Sequence, residues 1–461
     1  MADKSDLAAE NTNNSGNSLP RKIQIIYGFG VSYAIVDQIF AQWLLYYYLP
    51  PATSQLRPVL PPLFISLALV TSRFVDMIAD PAIGYFSDRT ESKYGRRIPF
   101  IALGTIPLAL MTVALFFPPR GSSQLIIFSY LTAVGCLFFI FYTIVGAPYN
   151  ALIPELAANK VERLNLSTWQ SVFRLVFTAV AMILPGWLIT FIGSGKDERG
   201  VRGMVILLSA VMVVFIFIMV MIIDEKKYSG GKTSQIGFKK SFSYIFSSRS
   251  LIFYLFGLMF FFLGFNTLRA TINYYVEDIM GYGPGIITLA SGLLFASAAA
   301  FFYPINILSR KVGYKKPLLI FLLIMVILSL SLTRLGRELP RGAGFFIFFL
   351  FGIPVSGAAF IYPPAMLSEI AARFSRKEKT HIEGVFFGLQ GFFLKLAFLL
   401  SIAVVPILLV AGEDISLLRV ISGEPEEVTR QGIYYTSFLA SGSFLFSFLS
   451  YLGYKEEQEL N

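Results

Sequence analysis

From residue 20 onward the chain alternates long apolar runs with short polar ones. Crossing a hydrocarbon core takes ~20 helical residues. Twelve runs meet that length: 23–49, 60–87, 98–118, 124–153, 167–193, 202–223, 250–278, 285–309, 316–334, 342–371, 382–410 and 432–453. Helices follow rather than strands, because a lipid-buried backbone must satisfy its hydrogen bonds within its own segment. Residues 1–20 are polar and rich in Asn and Ser, and read as a disordered cytoplasmic tail. The longest internal polar interruption, 224–250, is basic with Gly, Ser and Thr. It reads as a cytoplasmic linker between an N-terminal half (21–223) and a C-terminal half (251–454), with a short cytoplasmic tail at 455–461. "GYFSDRTESKYGRR" (84–97) follows the second run of the first half, and "NILSRKVGYKKP" (306–317) follows the second run of the other. Both set a Ser and basic residues before a Gly that more basics follow, as an internal repeat would. The expected fold is all-α and integral to the membrane, with twelve transmembrane helices in two pseudo-symmetric six-helix halves.

Composition sharpens this picture. Of 461 residues, 55% are hydrophobic and only 14% charged, where soluble domains carry roughly a quarter. The net charge of +10 does not point to nucleic acid, because the basic residues are scattered through short loops. With both termini cytoplasmic, 24 Lys/Arg fall on that side and 10 on the other, leaving Arg73, Arg174, Arg269 and Lys395 inside spans. The bias places the termini in the cytoplasm of a plasma (inner) membrane. One Cys (Cys136) and one His (His381) exclude a disulfide scaffold and a Cys/His metal site. His381, beside Glu383, reads as a loop-end residue. No nucleophile–base cluster argues for an enzyme, no cofactor is implied beyond a coupling ion, and no loop is long enough for a sensor domain. A monomer in contact with membrane lipid is expected.

Ionisable residues inside spans are costly and mark function. Asp76 and Asp80 lie one turn apart on one helical face, with Arg73 three residues before Asp76. Two carboxylates that close in low dielectric need a cation, a shared proton or a basic partner. Lys395, in the middle of the eleventh run, can supply that partner from the other half. Competition between Lys395 or Arg73 and an incoming cation then gives a coupling device. A metal ion enters only if the coupled ion is Na+, held by Asp76 and Asp80. Asp37, Trp43, Tyr142, Asn150, Trp169, Gln170, Arg174, Arg269, Asn273 and Gln390 are candidates for lining a polar substrate cavity. Asp88, Arg89, Arg96 and Arg97, with Arg310 and Lys311 in the matching loop, are candidates for a cytoplasmic gate.

"RFVDMIADPAIGYFSDRT…YGRRIPF" (73–100) resembles the signature of the glycoside–pentoside–hexuronide:cation symporters, the melibiose-permease-like group of the major facilitator superfamily. "IYGFG" and "LLYYY" in the first run, "YTIVGAPYNALIPEL" in the fourth and "HIEGVFFGLQGFFLK" before and within the eleventh fit it too. The resemblance implies that Asp76 and Asp80 match the cation-site carboxylates, Thr143 a nearby position and Lys395 the lysine of helix eleven. It also implies symport of a sugar or glycoside by alternating access, driven by H+ or Na+. The family's sugar-binding aspartates fall near Ile35 and at Gly146 here, with Asp37 displaced by about two residues. This leaves a second substrate class open, a lysophospholipid or other amphipathic solute. Ala79 offers no side-chain oxygen beside Asp80, which favours H+ over Na+.

Overall fold

The computed structural model describes residues 19–90, 92–157, 160–228, 249–378, 383–412 and 426–454. Residues 1–18 and 455–461 of the expected tails, most of the 224–250 linker and His381 lie outside them, while Leu19, expected in the tail, is buried and donates its N–H to Glu162 (3.0 Å). Twelve long helices correspond to the twelve apolar runs. They are α1 (Arg21–Tyr48), α2 (Pro62–Arg89), α3 (Ile98–Ala114), α4 (Gln124–Leu156), α5 (Lys160–Gly193), α6 (Asp197–Ile222), α7 (Arg249–Ile279), α8 (Ile287–Val312), α9 (Lys315–Leu332), α10 (Ala343–Ala371), α11 (Glu383–Val410) and α12 (Arg430–Gly453). Eleven have the length and apolarity to cross a membrane, and α3 is shorter at 17 residues. Pro118 and Pro119 follow α3 closely, and proline restricts both its own backbone and that of the residue before it. Conversely, α6 starts before its expected position. Asp197 and Glu198 occupy its first turn, where negative charge suits the helix dipole.

Packing repeats between the halves. Within the first half α2 lies on α4, α3 on α6, and α1 on α5 and α6; within the second α8 lies on α10, α9 on α12, and α7 on α11 and α12. The halves meet through α2 with α11 and through α5 with α8, again one relation used twice. At the second contact Gly186 lets α5 approach the backbone of Pro284 and Thr288. Small residues allow such approach where lipid supplies little drive for association. The Thr288 hydroxyl then accepts the N–H of Trp187 (2.8 Å).

Helices α1 and α7 seal one end of the bundle. Gln42 donates to Asn273 (2.9 Å), Tyr46 to Glu277 (2.8 Å), and Tyr274 to the carbonyl of Leu49 (2.7 Å). Both helices carry π-helical turns here, at Ile39–Leu44 and Tyr275–Ile279, and such turns gather at functional positions. Toward the other end Asp80, Asn150, Ser171 and Arg174 are exposed on helices inside the bundle. The chain is therefore closed at the end that carries the 49–61 and 280–283 loops and open at the opposite one.

Near the open end, Glu225 follows α6 and accepts the backbone N–H groups of Arg96 (2.7 Å), Arg97 (2.9 Å) and Ile98 (3.0 Å). These are donors that the start of α3 leaves without partners of its own. Arg97 donates to Glu155 (2.9 Å) and to Ser87, and Arg96 stands 3.4 Å from Glu155. Ser87, Glu155 and Glu225, the partners named here for Arg96 and Arg97, tie α2, α3, α4 and the segment after α6 together. Arg89 and Lys311 are exposed, while the side chains of Asp88 and Arg310 lie outside the described residues. Gly95 has φ +105°, and a side chain there would collide with Glu225.

Glu225→Ala should destabilise the N-terminal half by about 1–3 kcal/mol, the cost of leaving buried donors without their acceptor. Glu225→Gln, which keeps an accepting oxygen, should cost less, and Gly95→Ala should destabilise through both backbone strain and the collision. Thermal unfolding of the detergent-solubilised protein reads all three.

Candidate functional site

The first-half part of the site is built on α2 and α4. Asp76 and Asp80 share one face of α2, and Thr143 of α4 faces them. The Thr143 hydroxyl is 3.1 Å from Asp76 Oδ1 and 3.3 Å from Asp80 Oδ1. Lys395 of α11 enters from the other half, with Nζ 2.8 Å from Asp76 Oδ2 and 2.6 Å from Asp80 Oδ2. Arg73 Nη1 adds a contact of 3.4 Å to Asp76 Oδ2. That oxygen has two cations near it but no aligned hydrogen bond, so its contacts are those of charge more than of geometry. The two carboxylates differ in access: the Asp76 side chain is 1% exposed and that of Asp80 47%. Solvent or an ion from the open end therefore meets Asp80 first.

The Arg73 guanidinium is sandwiched by aromatic rings, 4.8 Å from the centroid of Phe139 on α4 and 4.4 Å from that of Phe398 on α11. Desolvated cation–π contacts of this kind contribute about 2 kcal/mol. Phe398 also faces Arg269 of α7 at 5.7 Å, and Arg269 donates to Gln38 on α1 (2.9 Å). A second chain of contacts runs through α5, where Arg174 donates to the hydroxyl of Tyr33 (3.0 Å) and Tyr33 packs edge-on against Tyr142. Asp37 is half-buried, within electrostatic reach of Arg269 and Tyr142.

The five residues singled out for cation coupling, Arg73, Asp76, Asp80, Thr143 and Lys395, thus converge in one cluster. The substrate candidates divide. Arg174, Tyr142, Arg269 and Asp37 belong to the contact chains that adjoin the cluster. Trp43 and Asn273 lie at the closed end with Gln42, where Trp43 Nε1, Asn273 Nδ2 and Gln42 Oε1 are buried without partners. Asn150 and Gln170 bond to each other (2.7 Å) nearer the open end, with Trp169 half-buried beside Phe173. Gln390 is engaged elsewhere, donating to Tyr254 (3.1 Å). Sequence reasoning missed Tyr33, Gln38, Phe139 and Phe398. Polar partners on α1 could have been sought one turn from Asp37, but nothing distinguishes Phe398 among 46 phenylalanines.

The family described as MFS/sugar transport protein matches residues 26–452. An uncharacterized symporter of Synechocystis sp. is 34% identical over 191 residues, 40% of this chain and 33% of that relative. A lactose permease of Lactobacillus delbrueckii is 27% identical over 250 residues, 51% of this chain and 40% of that relative. The chain thus spans well under half the length of these curated relatives. In structure it resembles a bacterial homologue of the lysosomal transporter Spinster, inward-facing and unoccupied, with a TM-score of 0.66, 14% identity and coverage of 95% and 98% of the two chains. That likeness shows the fold.

Lys395→Met should destabilise the protein by about 3–5 kcal/mol, because it leaves Asp76 buried with a less well placed cation. Adding Asp76→Asn should recover part of that loss, since the orphaned charge is then gone. Melting temperatures of the two single variants and the double variant test this coupling.

Proposed function

Starting from the fact that this chain belongs to the MFS/sugar transport protein family, we propose that it is a cation-coupled symporter of a sugar or glycoside, working by alternating access. It is an integral multi-pass membrane protein of a transporter family and not an enzyme. The observation that carries the proposal is the Lys395 ammonium, which bridges Asp76 and Asp80 from the opposite half. Two carboxylates this close in low dielectric require positive charge, and here that charge belongs to the part of the molecule that must move.

When a coupling ion binds, it takes over the neutralising role and frees Lys395, so α11 can shift against α2. Without the ion, movement would strand charges in a dry interface. Asp80, the exposed member, receives the ion first and Asp76 shares it. Asp76 Oδ1, Asp80 Oδ1 and Thr143 Oγ1 are the oxygens on hand. No further side-chain oxygen adjoins Asp80 at Ala79, which favours H+ over Na+, because a proton needs only the carboxylates. Toward the closed end lie the free Gln42 Oε1 and Asn273 Nδ2 and the indole of Trp43, and nearer the cluster Arg174 and Arg269. Donors beside aromatic faces are suited to hydroxylated rings. The Lys/Arg bias supports a cytoplasmic open end, and with it an inward-facing reading of this arrangement.

Purified protein in proteoliposomes, offered a panel of mono- and disaccharides under separate proton and sodium gradients, tests the reading. Accumulation should follow the proton gradient for at least one sugar. Asp76→Asn and Asp80→Asn should lower accumulation to the level of empty liposomes while solute binding persists. Wild-type accumulation by both variants would overturn the coupling role, and uptake driven by sodium alone would reverse the choice of ion.

A further inference from the structure

Four carboxylates gather where α1, α6 and α7 meet at the closed end. Three are well served. Asp278, 4% exposed, accepts the N–H groups of Ala52 (3.0 Å) and Thr53 (2.9 Å) and the Thr53 hydroxyl (2.8 Å), with Arg430 of α12 in electrostatic reach. Asp197 accepts from the Ser54 hydroxyl and the Gln55 N–H, both at 3.2 Å. Glu198 pairs with Arg120 and Arg202, both at 2.8 Å.

Glu277 differs from all three. It is 2% exposed, and the donor it faces is the neutral phenol of Tyr46, at 2.8 Å. Asp278 is next to it on its own helix, and Asp197 of α6 and the phenol of Tyr274 are within electrostatic reach. Among the described residues, the charged groups within that reach are anions. A carboxylate so placed gains little from remaining ionised: one phenol cannot replace the water it has lost, and its neighbours repel it.

We propose that Glu277 is a second proton-binding site, occupied while the closed end is sealed and emptied when that end opens. The inference rests on the alternating-access reading, but it shares no residue with the Asp76–Asp80–Lys395 cluster. In the sealed state one carboxyl oxygen carries the proton and Oε1 accepts from Tyr46. When α1 and α7 part, water reaches the carboxyl group and takes the proton, leaving a solvated carboxylate. Charge and protons balance with water as the only acceptor. Low pH on that side therefore holds the end shut, and high pH releases it.

Pulsed electron paramagnetic resonance on the full chain in lipid nanodiscs tests this, with spin labels at Gln55→Cys and Gly283→Cys in a Cys136→Ser background. Distances across the seam would be followed from about pH 5.5 to about pH 9. The short-distance population should decline as pH rises in the parent protein and should persist throughout in Glu277→Gln. Tyr46→Phe removes the donor that favours the ionised form, so its midpoint should move up by about one pH unit. A distance distribution flat in pH, or a Glu277→Gln variant that follows the parent's profile, overturns the proposal. If Glu277→Gln does not fold, a Tyr46→Phe midpoint that stays put or moves down overturns it. Asp80→Asn, expected to lose gradient-driven accumulation, should keep this titration. If it keeps both, the coupling reading fails and the Glu277 site stands.

Discussion

A charge inside a membrane protein must have a partner, and in this molecule the partner comes from the other half. Lys395 and Arg73 neutralise Asp76 and Asp80 together, but only Lys395 crosses the interface between α2 and α11. The same interface carries Phe398, whose ring faces both Arg73 and Arg269. Electrostatic balance and helix packing therefore share one seam. Moving one half against the other changes how the acids are neutralised, and the proposed coupling of an ion to a conformational change rests on that dependence.

The two ends of the bundle are built differently. The closed end relies on polar contacts between halves: amide to amide at Gln42–Asn273, phenol to carboxyl at Tyr46–Glu277, and loop backbone to Asp278. Each can exchange its partner for water at modest cost, as the proposed alternating access requires of this seam. Near the open end, Glu225 and Glu155 hold Arg96 and Arg97 and tie the start of α3 to α4 and to the segment after α6. The basic loop at 84–97 thus reads in the structure as a brace that holds α2, α3, α4 and α6 as one body. Gly95, with its positive φ beside Glu225, is part of that brace.

Much of the cation cluster was legible because charge in an apolar run is conspicuous. Asp76, Asp80, Arg73 and Lys395 each break a hydrophobic stretch, and the helical period sets the two aspartates on one face. Glu277 and Asp278 were not legible in the same way. They fall at the end of an apolar run, where acids in a loop and acids in a buried seam read alike. Glu225 was assigned to the polar linker for the same reason, although its carboxylate is folded back onto the start of α3. Tyr33, Gln38 and Phe398 carry no local signal, because their roles come from partners distant in sequence.

Run length, the need for internal backbone hydrogen bonding in lipid and the paired loops determined twelve helices in two halves from the sequence alone. These are local properties, and they hold wherever a helix is placed. Tertiary structure alone decided which cation meets which acid, which end is sealed, and that buried Glu277 faces a phenol while Asp278 is held by loop backbone. Those outcomes depend on helices more than two hundred residues apart approaching within hydrogen-bond distance, and neither periodicity nor composition encodes such a distance.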